Sequence, residues 1–171
     1  MNMTMVSMHD AALEYAERGF RVFPCEVGGK RPLAAAAPHG CKDATTDADQ
    51  IRRWWARFPM ANIGIHAGDD LIILDLDLKD GKDGVADLQR WTGQPLDVFC
   101  SDGGGVPRVI TPTGGLHLYF RRPPGTQYKS TTGLGETGGI DVRTGNAYVL
   151  APPSVITGIG KYRTYQTETT E

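Results

Sequence analysis

Two aspartates one residue apart, Asp75 and Asp77, end the most apolar run of the chain, Leu71-Ile72-Ile73-Leu74-Asp75-Leu76-Asp77. So short a run, with β-branched residues, reads as a buried strand. Strand side chains alternate between faces. Asp75 and Asp77 therefore share a face, with Cα atoms about 6.5–7 Å apart, and Leu74, Leu76 and Leu78 take the other. Adjacent carboxylates repel unless a cation or a proton lies between them. An all-oxygen pair of this kind suits Mg²⁺ or Mn²⁺.

Two later stretches repeat the pattern. Leu116-His117-Leu118-Tyr119-Phe120 sets His117 and Tyr119 on one face and three apolar residues on the other. Ile140-Asp141-Val142-Arg143 sets Asp141 and Arg143 on one face. If the three strands are neighbours, Asp75, Asp77, Asp141, His117 and Arg143 converge. Any one of these faces, taken singly, is an ordinary solvated strand face, since charged residues mostly meet water. Three together favour a site. Thr113-Gly114-Gly115 enters the middle strand, and two glycines after a hydroxyl let a backbone approach a ligand and offer N–H groups to an anion.

The elements that must position these residues are legible in order. Met8 to Arg18 reads as a helix closed by Gly19, followed by a short strand, Arg21-Val22-Phe23-Pro24. Val27-Gly28-Gly29-Lys30-Arg31-Pro32 reads as a flexible loop whose two cations suit phosphates. A helix starts at Thr45-Thr46-Asp47-Ala48-Asp49, with a capping hydroxyl, and runs to about Arg57. Ile51, Trp54, Trp55 and Phe58 form one apolar stripe, so the tryptophans pack in the core rather than stack on bases. Arg52, Arg53 and Arg57 lie largely off that stripe and are candidates to touch a phosphate backbone. Asn62 to His66 is a strand, with His66 a packed or exposed strand residue rather than a ligand, and Gly68-Asp69-Asp70 a turn. Lys79 to Gly84 is a charged loop without the full calcium-loop pattern. Val85 to Trp91 is a short helix ended by Gly93. Ser101 to Gly105 is a turn. Gln127 to Gly138 is a flexible segment. Gly139 to Arg143 and Ala147 to Ala151 form a hairpin around Thr144-Gly145-Asn146, and Tyr162 to Tyr165 is a last strand.

At 171 residues the chain makes one domain, and 40% hydrophobic with 22% charged residues fits a soluble globular protein. A net charge of −2 argues against a nucleic-acid coat protein, though not against an enzyme with a local basic patch. Cys25, Cys41 and Cys100 are odd in number and widely spaced, which reads as reduced thiols in a cytoplasm. His39, Cys41 and Cys25 are poorly spaced for zinc. There is no signal-peptide pattern and no apolar run near the ~20 residues that cross a bilayer.

The run "LDLD", then "TPTGGLHLYF", then "GIDVRTGNAYVLAPPS", resembles the bifunctional primase-polymerase domain of the archaeo-eukaryotic primase superfamily, found in phage and plasmid replication proteins. The upstream stretches "YAERGFRVFP", "GKRPL", "HGCKDATTDADQIRRWWARFP" and "ANIGIHAG" are similar to that family too, so the resemblance covers roughly residues 8 to 155. It implies an α+β fold with a modified RRM-like core, a mixed and mostly antiparallel sheet with flanking helices. It implies a DNA primase/polymerase that makes and extends a primer on single-stranded DNA from nucleoside triphosphates. Asp75, Asp77 and Asp141 match the metal-binding carboxylates, and His117 the histidine at the nucleotide's phosphates. Thr113 stands where many members have serine. The family often has an aromatic residue at the position of Cys41, which weakens zinc further. Members are commonly fused to a helicase. The expectation is therefore a catalytic domain over residues 1–165 and a linker start over 166–171, in the cytoplasm of a bacterium or phage-infected host.

Such transfer uses two Mg²⁺ or Mn²⁺ ions about 3.5–4 Å apart. Asp75 and Asp77 would bridge them, and Asp141 would hold the one at the attacking hydroxyl. His117, the Thr113–Gly115 backbone including Gly114, Arg143 and Lys30 would neutralise the triphosphate. Two other readings compete. A metal-dependent replication-initiation nuclease needs a His-x-His pair, where this chain has His117-Leu118-Tyr119. A non-catalytic RRM-like binding module exposes aromatics on its central strands, where this chain has carboxylates.

Overall fold

The computed structural model describes residues 6–100 and 108–164. The turn expected at Ser101–Gly105 and the linker expected at 166–171 lie outside them. In chain order the elements are α1 (Met8–Glu17), β1 (Val22–Cys25), a 3₁₀ turn (Gly40–Asp43), α2 (Ala48–Arg57), β2 (Asn62–Leu76), α3 (Gly84–Thr92), α4 (Leu96–Cys100), β3 (Arg108–Ile110), β4 (Leu116–Arg121), β5 (Thr131–Leu134), β6 (Ile140–Ala151), β7 (Val155–Ile156), β8 (Gly160–Lys161) and β9 (Arg163–Thr164). The fold is α+β. The pairs β1–β2, β2–β4, β3–β4, β3–β9, β5–β6 and β7–β8 are all antiparallel. The described residues form two compact units, one of residues 6–66 and 146–162, the other of residues 67–100, 108–145 and 163–164.

In the first unit, α1 is capped by the Ser7 hydroxyl, which accepts from Asp10 N. The cap of α2 is the Asp47 carboxylate, not the expected hydroxyl. It accepts from Asp49 N, while Thr45 Oγ1 takes the Asp47 amide. Ile51, Trp54 and Trp55 are buried, as their stripe predicts. Each indole N–H finds a carbonyl, Trp54 at Ala36 and Trp55 at Ala61, which removes the cost of burying it. β1 lies against the start of β2, with Val22 opposite Ile65 and Cys25 opposite Asn62.

The loop carrying Lys30 is tied down rather than free. Glu26 N donates to Arg31 O, buried Asn62 donates to Gly29 O at 2.8 Å, and Tyr148 Oη donates to Lys30 O at 3.0 Å. Thr157 N donates to Gly28 O.

In the second unit the strands follow in the hydrogen-bonded order β5-β6-β2-β4-β3-β9. Leu76, Leu88, Leu116, Leu118 and Ile140 form its core, with Leu74, Val85, Leu96, Phe99, Ile110, Phe120 and Leu134 packed around them. The apolar sides of β2 and β4 thus face α3 and α4, and Asp75, His117 and Tyr119 take the other side. Leu78, expected on the apolar side, lies beyond β2 and is 41% exposed.

Three expectations are corrected. No turn separates two strands at Gly68–Asp70, because β2 runs unbroken for 15 residues. The hairpin around Thr144–Asn146 is instead one strand, β6, of 12 residues. Gly68 and Gly145 do have positive φ, 56° and 61°, but one such residue bends a strand without reversing it. Thr144 is buried within β6, donates its hydroxyl to Leu71 O at 2.8 Å and shares two backbone bonds with the Ser130 hydroxyl. Within Gln127–Gly138, expected to be flexible, β5 pairs with β6 through Thr131 opposite Val142 and Leu134 opposite Ile140. Helix α4, the 3₁₀ turn and strand β3 were not anticipated.

The end of β2 is fixed by close backbone approaches. Asp77 N donates to Gly139 O at 2.8 Å, and Gly84 N donates to Asp77 O at 2.9 Å. A Cβ on Gly84 would lie 2.3 Å from Gly139 O, and one on Gly115 would lie 2.4 Å from Leu76 O. Beside them sits Asp87, which is 1% exposed. Its carboxylate accepts from Thr137 N, Thr137 Oγ1, Gly139 N and Arg90 Nη1. It ties α3 to the turn that leads into β6.

These contacts set two expectations. Gly84→Ala should destabilise the fold by roughly 1–3 kcal/mol or more in thermal or urea unfolding, because backbone cannot yield as a side chain can. Burial alone would raise the pKa of Asp87, but the Thr137 hydroxyl, the Thr137 and Gly139 amides and Arg90 more than offset this and hold it below the usual 3.8. A depressed carboxylate contributes stability that is complete above its unfolded pKa and is lost as pH falls through the folded one. Wild type should therefore lose melting temperature below about pH 3.8 more steeply than Asp87→Asn. Parallel pH profiles would exclude this role.

Candidate active site

The β2–β4 register sets Asp75 opposite His117 and Ile73 opposite Tyr119. His117 Nε2 lies 3.4 Å from Asp75 Oδ1, with the imidazole side chain 4% and the carboxylate 22% exposed. The second oxygen of Asp75 lies 3.8 Å from Arg143 Nη2. That same nitrogen donates to Asp141 Oδ2 at 2.7 Å. The other oxygen of Asp141 accepts from Gly133 N at 2.9 Å, so β5 helps to aim it. The series His117–Asp75–Arg143–Asp141 therefore joins β4, β2 and β6, as the three faces of the sequence require.

Asp77 follows β2 directly and turns to a different partner. Lys82 Nζ, on the loop before α3, donates to Asp77 Oδ2 at 3.3 Å. Lys82 had no role in the sequence reading. Nothing in a run of alternating charges singles out which lysine meets which acid. Asp87 escaped notice for the same reason, since an aspartate in a short amphipathic helix reads as solvated.

The glycine-rich turn is only partly as expected. Gly114 N donates to Thr111 O and Thr111 N donates to Gly115 O, so the Gly114 amide is spent within the turn rather than offered to an anion. Gly115 is small because it abuts the Leu76 carbonyl. Thr113 is exposed, its hydroxyl 3.4 Å from that of Thr111.

The other predicted cations belong to the first unit. Lys30 is exposed on its tied loop. Arg52, Arg53 and Arg57 are exposed on α2, with Arg52 paired to Asp49, Arg53 bonded to Gln50 and Arg57 over the Phe58 ring. Cys25 and Cys41 are buried free thiols, and Cys41 donates to Asn146 O. His66 is buried in β2.

Asp75, Asp77 and Asp141 are donors of the type that Mg²⁺ or Mn²⁺ prefers. Among the described residues, no three His, Cys, Asp or Glu side chains are grouped as a metal cage. The chain's own cations take that place, Arg143 at Asp75 and Asp141, and Lys82 at Asp77. The donor set fits a hard divalent cation in chemistry, and two cations offset part of the charge of the three carboxylates. No helix among the described residues is long and apolar enough to cross a membrane.

No curated protein matches the chain at a significant level. A family model does, and it runs to the last residue, so 166–171 fall within the matched span. Two carboxylates, Asp75 and Asp141, with a histidine and an arginine gathered across β2, β4 and β6 agree with that match, which covers residues 12–171, and the chain belongs to the family of bifunctional DNA primase/polymerase N-terminal domains.

Proposed function

We propose that this domain synthesises and extends primers on single-stranded DNA by metal-assisted nucleotidyl transfer, in the replication of a phage or plasmid. The observation that carries the reading is the ionic series His117–Asp75–Arg143–Asp141, which draws acids from two strands to one guanidinium. A pair of Mg²⁺ or Mn²⁺ ions held by Asp75, Asp77 and Asp141 would supply Lewis-acid activation of a primer 3′-hydroxyl and charge relief at the departing pyrophosphate. The chain's residues bind and orient. Asp75, 3.4 Å from His117 Nε2, fixes that buried ring beside the acids. Arg143 offers a planar fork suited to phosphate oxygens once its carboxylates are otherwise engaged. Thr113 adds an exposed hydroxyl beside the same strand. In the first unit, Lys30 offers an exposed charge to an anion from a loop whose backbone is already ordered, which lowers the entropy cost of binding. Arg52, Arg53 and Arg57 offer a basic helix face to a template backbone. A binding module that stacks bases on its sheet is less well supported, because Tyr119 is buried and Phe120 packs in the core.

The test is incorporation of labelled nucleotide on a primed and an unprimed single-stranded template with Mg²⁺ or Mn²⁺, beside a nuclease assay. Wild type should extend the primer and leave the template uncut. Asp75→Asn should lower incorporation by about two to three orders of magnitude, since a metal clamp contributes several kcal/mol and each ~1.4 kcal/mol is tenfold. Template cleavage without extension would favour the nuclease instead.

Arg143→Gln should raise the nucleotide KM about tenfold, the loss expected of a charge-assisted phosphate contact. An unchanged KM would remove Arg143 from the nucleotide site.

A further inference from the structure

The pairing of Asp77 with Lys82 has a consequence for how the site is loaded. Lys82 Nζ lies 3.3 Å from Asp77 Oδ2, with the lysine side chain 36% and the carboxylate 24% exposed. The loop that carries it is short and held at both ends. Lys82 N donates to Lys79 O at 2.9 Å, and Gly84 N donates to Asp77 O at 2.9 Å. The backbone therefore holds the residue that carries the ammonium close to Asp77, within reach of its carboxylate. Asp75 and Asp141 are matched with Arg143 in the same way.

From this geometry we infer that Lys82 is a built-in counter-cation of the acidic site: it holds Asp77 when no divalent ion is present and must give it up for one to bind. This rests on the reading of Asp77 as a metal ligand. Two positive charges compete for one carboxylate, so Lys82 weakens binding of a bare divalent ion. A divalent ion arriving with a nucleoside triphosphate brings anionic oxygens to which the displaced ammonium can turn. Lys82 thus couples the two ligands and disfavours metal alone. In the metal-free protein it also limits repulsion among the acids.

The test is titration calorimetry of Mn²⁺ alone into metal-free protein at low ionic strength, for wild type, Lys82→Met and Lys82→Arg. Lys82→Met keeps the stem of a partly exposed side chain. It should bind Mn²⁺ roughly two- to fivefold tighter, the loss expected of one partly screened ion pair, and Lys82→Arg should match wild type. The rise in melting temperature on adding Mn²⁺ should be larger for Lys82→Met than for wild type, which reads the same competition through stability. Equal or weaker binding by Lys82→Met, with wild type binding Mn²⁺, would overturn the role of Lys82 and leave the metal site standing. Absence of Mn²⁺ binding in all three proteins would overturn both.

Discussion

Everything at the acidic site depends on how closely three backbones approach the end of β2. Gly84 at the start of α3, Gly139 before β6 and Gly115 before β4 each occupy a position where a Cβ would overlap main-chain atoms. Side chains cannot mediate such contacts. The backbone of Leu76 and Asp77 is therefore boxed in by peptide groups, two of them hydrogen-bonded to Asp77. This sets the strand that carries Asp75 against those that carry His117 and Asp141. The apolar cluster of Leu76, Leu88, Leu116, Leu118 and Ile140 seals the other side. Asp87 reinforces the box by gathering the amides of Thr137 and Gly139, groups that would be costly to bury unpaired.

That rigidity brings like charges together, and the chain offsets them in part with its own cations. Arg143 lies between Asp75 and Asp141, and Lys82 meets Asp77. A guanidinium suits the first task because its planar donors can serve two carboxylates. Partly exposed pairs of this kind add little to stability. Their weight falls on which cation occupies the acids, and so on the chemistry the site can perform.

Much of this site is legible in the sequence because alternation in strands is a strong signal. The faces of Leu71–Asp77, Leu116–Phe120 and Ile140–Arg143 bring Asp75, His117, Asp141 and Arg143 together in space, while Asp77 turns to Lys82 instead. The stripe of α2 and the ends of α1 and α3 are equally plain, since caps and periodicity are local. What failed was also local. Gly68-Asp69-Asp70 and Thr144-Gly145-Asn146 have the composition of turns, yet each lies inside one long strand, because buried cross-strand bonds such as Thr144 to Leu71 override the turn preference. β5 was missed because a glycine- and threonine-rich segment carries no apolar alternation, and only its partner β6 makes it a strand. The partners of Asp77 and Asp87 are set by tertiary packing, which no spacing rule reports.

The central claim is that the acid-bearing face of β2 and β6 binds a divalent cation. Its most direct measurement is a ¹H–¹⁵N correlation spectrum of the protein titrated with substoichiometric Mn²⁺, whose unpaired electrons broaden nearby amides. The account predicts that the amides of Asp75 to Asp77, Gly133 and Asp141 to Arg143 broaden first. Broadening centred on Asp69 and Asp70, or uniform across the chain, would contradict it.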